Sequence, residues 1–168
     1  VRNIAVNGEV WTGVQDMTRH HFPKLIDTAV EDWPTENQCS MAIRVSYGNF
    51  DYYTGGDMPG KPAPGFPRWH GVEARVAKAV GPVDAAVLHH HGLGDGTTES
   101  FVRALRARVW IIPTRAAGHP DRWVLNRLYS NRLYPDLRDV YALSLQPATR
   151  LVVGRSLRSL KSAQGHVV

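Results

Sequence analysis

The chain has almost nothing to tie it together covalently: its 168 residues include one cysteine, Cys39. A single cysteine excludes an internal disulfide framework and any cysteine-rich zinc site, and it makes an intracellular, cytoplasmic setting the expectation. Long apolar runs are also missing. No stretch approaches the roughly 20 residues that a membrane-spanning helix needs, so no membrane contact is expected of this chain. The opening residues Val1-Arg-Asn-Ile-Ala-Val6 carry neither a starting methionine nor the layout of a signal peptide. There is no internal repeat and no low-complexity tract. One further absence bears on chemistry: no closely spaced His/Asp cluster occurs, because His20-His21 is followed by Phe22-Pro23 and by no acid.

What is present suits one globular domain spanning residues 1–168. A hydrophobic share of 43% beside 21% charged residues is ordinary for a chain that builds a real core. The net charge of +5 is scattered, except for Arg150, Arg155, Arg158 and Lys161 near the end. Spread charge of this size favours anionic partners, nucleic acid among them, although a solvated tail is the simpler reading of that last cluster.

Along the chain, Asn7-Gly8 between two short apolar stretches signals a hairpin. Residues 14–38 read as a loop with one helical turn. From Met41 the side chains alternate, Gly48-Asn49 turns, and Phe50 to Thr54 returns, which is a half-buried antiparallel pair. Pro59 to Pro67 holds four prolines and two glycines and reads as an exposed loop. After it, Val72, Val76, Ala77 and Val80 fit a helix stopped by Gly81-Pro82, and Asp84 to Leu88 fits a short buried strand. A second helix capped by Thr97 or Thr98, a strand over Arg108 to Pro113 and a helix from Pro120 repeat the order. Val140 to Leu145 and Arg150 to Val153 read as two more strands, and Gln164 to Val168 as the start of another. Such alternation predicts a layered α/β fold.

Two strand exits carry chemistry. Asp57 follows Thr54-Gly55-Gly56, and paired glycines permit backbone conformations that aim a carboxylate across a strand end; a plain turn is the competing reading. His89-His90-His91 leads into the small-residue loop Gly92-Leu-Gly-Asp-Gly96. Neutral imidazole is the commonest zinc ligand, and a neighbouring histidine can act behind it or carry protons. Strand alternation would send His89 and His91 to one side and His90 to the other, so not all three would be ligands. The five tryptophans read as core or loop anchors, Trp69-His70 as a helix-start packing element at the border of the site, and Glu73 as part of a solvated helix face.

The run Glu36-Asn37-Gln-Cys-Ser40, a strand, Tyr47-Gly48, a second strand, Gly56-Asp57, a helix, His90-His91-Gly92 and Gly118-His119-Pro120 resembles the metallo-β-lactamase superfamily. The similarity is to its competence-protein-like branch, patterned Asn-x-x-Ser, Tyr-Gly, Thr-Gly-Asp, His-His-Gly-Ser and Gly-His-Pro, and it runs from about Glu36 to Leu128. It implies an αββα sandwich of which this chain is the C-terminal half. It also implies a site with one or two zinc ions, or manganese or iron. Asp57 falls on the bridging carboxylate, His90 on the last histidine ligand, and His119 on a histidine that contacts substrate or protonates a leaving group. The implied activity is hydrolysis, with a metal-bound hydroxide attacking a phosphodiester or ester.

Two departures matter: the family's upstream His-x-His-x-Asp-His is absent, and its serine after His-His-Gly is Leu93. Two ligands fall short of the three usual for catalytic zinc. The expectation is therefore a site completed by an N-terminal half on a separate segment or partner chain. The alternative is a metal-free, non-catalytic binding or assembly module of the same fold. A half-sandwich would expose a sheet face, so a missing segment, a partner or a second copy of the chain is expected against it.

Overall fold

In the computed structural model, whose described residues are 1–165, the N-terminal hairpin forms as expected from β1 (Arg2–Val6) and β2 (Glu9–Trp11). Asn7 and Gly8 between them have φ of 49° and 79°, the left-handed pair that a two-residue turn needs to match the strand twist. An unexpected edge strand, β3 (Thr18–His20), pairs with β2. Its three residues are all exposed, so no apolar periodicity marks it. The rest of residues 14–38 is loop with two short 3₁₀ turns, Leu25–Asp27 and Val30–Asp32.

β4 (Ala42–Tyr47) and β5 (Phe50–Gly55) form the predicted antiparallel pair, in register from Ala42↔Gly55 to Tyr47↔Phe50. The alternating region follows as α1 (Glu73–Val80), β6 (Ala85–Val87), α2 (Glu99–Leu105), β7 (Val109–Ile112), α3 (Arg122–Leu128) and β8 (Asp139–Ala142). Gly81, at φ 68°, ends α1, and the Thr98 hydroxyl caps α2 by accepting from the Phe101 N–H. The helix expected from Pro120 begins two residues later, where the Asp121 carboxylate accepts from the Trp123 N–H at 2.7 Å. Arg150 to Val153 is not a strand but the end of α4 (Pro147–Val153). Pro147 stands in its first turn and Gly154 closes it, and a short apolar run cannot by itself distinguish the two periods. The strand expected from Gln164 falls largely outside the described residues, although Ser162 makes an isolated parallel bridge to Tyr141 of β8.

The eight strands of the described residues belong to one sheet, ordered β3-β2-β1-β4-β5-β6-β7-β8, antiparallel as far as β5 and parallel from β5 to β8. The molecule is a mixed α/β fold. Right-handed crossovers between successive neighbours place α1, α2 and α3 on the same face, and burial agrees. The aligned row Tyr53, Ala86, Trp110 and Val140 is fully buried beneath the helices. The next row, Val45, Tyr52, Ala85, Val109 and Asp139, faces the other way and is half-exposed apart from Ala85, as are Ile43, Val87, Ile111 and Tyr141. No helix covers that second face among the described residues, and none of these helices is long and apolar enough to cross a membrane.

Candidate functional site

Because β5, β6 and β7 run parallel side by side, the segments leaving them emerge at one edge of the sheet, where open α/β folds bind ligands. Those segments carry Asp57, the three histidines and His119. The Asp57 Oδ2 lies 3.3 Å from His91 Nε2, and the His91 and His119 rings stack with centroids 5.4 Å apart and planes 10° from parallel. Asp57 and His119 are thus brought together, but through His91. His90 turns instead to Asp95, with its Nδ1 3.0 Å from that carboxylate.

The histidines are not on a strand, so the alternation expected of them does not apply. β6 ends at Val87, and residues 89–92 form a tight turn in which His90 (φ 47°, ψ 42°) and His91 (φ 57°, ψ 17°) are both left-handed. Each such residue costs on the order of 1–2 kcal/mol and persists only where its surroundings hold it. Here they do so from three sides. His91 Nδ1–H donates to the Pro113 carbonyl at 2.8 Å, and the Leu93 N–H closes back on the His90 carbonyl. Arg127 donates to the carbonyls of Gly94, Gly96 and Thr97, each at 2.9 Å.

Beneath the loop sits a group that sequence reading misplaced. Glu73 is not on a solvated face but fully buried. Its carboxylate accepts from the Thr97 and Thr98 N–H groups at 2.5 and 2.7 Å, from the Thr98 hydroxyl at 2.6 Å and from His89 Nδ1–H at 2.9 Å. His89 Nε2 in turn accepts from the Tyr53 hydroxyl at 2.7 Å, and burial pushes that phenol well above its usual range, keeping it a donor. His89 is therefore a core residue, with Tyr53 and Glu73 saturating both its nitrogens. The paired glycines also act differently from expectation. Neither has a positive φ; a Cβ on Gly55 would lie 2.7 Å from His89 Nε2, and one on Gly56 would lie 2.7 Å from Ser40 Oγ. They are needed for close approach, not for backbone freedom. Trp69 and His70 pack as foreseen: His70 is buried, Nε2–H donating to the Asp32 carbonyl and Nδ1 accepting from Gln38.

Hydrogen bonding fixes which nitrogen the half-buried His91 and His119 present. With Nδ1–H committed to Pro113, His91 presents Nε2 to Asp57, and the two electron-rich atoms are reconciled only by a proton or a cation between them. A histidine whose far nitrogen donates to a backbone carbonyl is oriented as metal-bound histidines are. His119 receives the Ala116 N–H on Nδ1 at 3.4 Å, which leaves Nε2 as its proton-bearing atom. Burial, followed by the nearby His91 and His90, holds its pKa below the ordinary histidine value, so it is neutral at pH 7.

Asp57 and the imidazoles have the chemistry of divalent-metal donors. Among the described residues, however, no group of three or more His, Cys, Asp or Glu side chains is arranged to hold an ion. The chain's residues fit a metal only as contributors to a shared set. A cavity of about 780 Å³ between the Gly60-Lys61 loop, the start of α2 and α3 includes none of these side chains in its lining. The chain matches no family model, and a search of the curated proteins finds no significant match. Three residues escaped sequence reading altogether: Asp95, whose only signal is its place four residues after the histidine run, Tyr53, which reads as an ordinary strand aromatic, and Arg127, which reads as an ordinary helix cation.

Proposed function

We propose that this chain contributes half of a metal-dependent hydrolase site of the metallo-β-lactamase kind, acting on a phosphodiester or ester and completed by donors from another segment or chain. The observation that carries this reading is the convergence of Asp57, His91 and His119 at the ends of three adjacent parallel strands. Asp57 is one donor; His91 is the imidazole already aimed at it, and His90, the position the family resemblance favours, lies next to it. One or two zinc ions, or manganese or iron, would supply Lewis acidity there. Neutral His119, with its proton on Nε2, is placed to donate a hydrogen bond to a substrate oxygen. The half-exposed sheet face supports the same reading, since a second sheet laid on it would complete a sandwich and bring in the remaining donors. The lone cysteine favours a cytoplasmic setting.

Elemental analysis and calorimetric titration with Zn²⁺ and Mn²⁺ test this in the chain, in Asp57→Ala, and in variants with His90 and His91 replaced singly by Ala. Weak binding that is lost in Asp57→Ala and in at least one histidine variant is the expected result. Absence of any Asp57-dependent binding up to millimolar metal would overturn the metal site and leave the metal-free assembly module, docked through the open sheet face.

A further inference from the structure

At the opposite end of the sheet, β2, β3 and α1 enclose a second cavity of about 520 Å³, lined by Val10, Trp11, Arg19, Arg75, Lys78 and Ala79 with the Thr12-Gly13 backbone. Its place follows from the topology. β2 runs antiparallel to β1, β1 to β4 and β4 to β5, so the end of β2 and the start of β3 lie away from the exits of β5, β6 and β7. Val10 and Arg19 are cross-strand partners, which puts Arg19 on the side of the ribbon that faces α1, where Arg75 and Lys78 project. All three cations are exposed.

Three positive side chains line this groove and no carboxylate does. Among the described residues none of the three enters an ion pair. The acids of the β2–β3 ribbon are used elsewhere: Glu9 alternates with Val10 onto the other face and pairs with His20 at 2.8 Å, and Asp16 is engaged by Arg2 at 2.9 Å. An arrangement of like charges with no internal partner is complementary to an external anion. Guanidinium forks beside an ammonium match phosphate oxygens. The volume falls within the range of small-ligand pockets and exceeds what a bare oxyanion fills. The remainder of the lining, Val10, Ala79 and Trp11, is apolar; one face of the Trp11 ring is already covered by the Arg2 guanidinium, 4.8 Å from its centroid, so a base beside its phosphates would stack on the other.

We propose that this groove is a phosphate-ester site that takes a nucleotide unit, either free or within a single strand of nucleic acid, through Arg19, Arg75 and Lys78. It is independent of the strand-end histidines and of any metal there. Binding is therefore read in EDTA, so that failure of the hydrolase reading leaves this test intact.

The test is fluorescence anisotropy of the full chain with a labelled single-stranded oligonucleotide over a salt series, with ATP as competitor. Replacing Arg19, Arg75 and Lys78 together by Ala is expected to weaken binding at least tenfold. It should also flatten the log K against log salt slope by about 2, from roughly 0.7 per phosphate neutralised on a single strand. The charge-matched variant with Arg150, Arg155 and Arg158 replaced by Ala should stay within twofold of the parent. All six positions are exposed, and unchanged melting curves confirm that fold is not the variable. Full displacement by ATP identifies a free nucleotide as the occupant, and displacement only by unlabelled oligonucleotide identifies a strand. Equal losses in the two triple variants, or no loss in the first, would overturn the proposal.

Discussion

At the residue scale the molecule depends on Glu73. A fully buried carboxylate is tolerable only because four donors meet it, and those donors are the start of α2 and the histidine that anchors the loop between β6 and α2. Replacing it with Ala strands Thr97 N–H, Thr98 N–H and His89 Nδ1–H in the interior, each costing about 1–3 kcal/mol. Glu73→Ala should therefore lose about 3 kcal/mol or more by urea denaturation, and Glu73→Gln, which keeps one acceptor oxygen, should lose clearly less. Equal losses in the two variants would show that shape, and not hydrogen bonding, is what matters there. Glu73 also marks where sequence reading stops. Val76, Ala77 and Val80 define the apolar stripe of α1, and a glutamate beside that stripe reads as solvated because its partners lie 16 to 25 residues away.

At the scale of elements, the decisive piece is the loop between β6 and α2, which presents His90 and His91. It holds three left-handed non-glycine residues, His90, His91 and Thr97, and such a backbone needs external restraint. Arg127, reaching from α3, supplies much of it through three carbonyls. Arg127→Ala should increase amide hydrogen exchange across residues 94–98 while leaving β7 and β8 protected. Arg127→Lys should recover little, because one ammonium cannot reproduce a fork spread over Gly94, Gly96 and Thr97. If exchange in this loop were unchanged in Arg127→Ala, the loop would be held by its remaining contacts, the Glu73 carboxylate beneath it and the Gly60 and Lys61 N–H groups on the Asp95 carbonyl. Sequence alone placed the helices and strands around this loop, since their apolar spacing and caps are local. It misdirected the histidines, because it extended strand alternation over residues 89–91, beyond the last ladder pair at Val87.

For the whole molecule, the asymmetry of the sheet dominates. One face lies under three helices, and the other leaves Ile43, Val45, Tyr52, Val87, Val109, Ile111 and Tyr141 half-exposed. A contiguous apolar surface of this kind marks an interaction site or promotes self-association. The isolated chain should therefore sediment with concentration-dependent mass. Ile111→Lys, a change at the centre of that face and away from the helices, should shift it towards monomer with little change in melting temperature. A chain that is monomeric at all concentrations and unaffected by Ile111→Lys would show that the face is tolerated in water without a partner.

The amino-acid sequence by itself determined the α/β class, the two hairpins, the cap of α2, and the strand exits where Asp57 and the histidines emerge. Each of these rests on interactions a few residues long: a side-chain period, a turn that needs positive φ, a cap on the first turn. Tertiary structure alone decided which histidine meets Asp57, that His89 belongs to the core with Tyr53 and Glu73, and that three cations from β3 and α1 share one groove. Those outcomes depend on which distant segments pack together, and a local pattern carries no information about a partner many residues away.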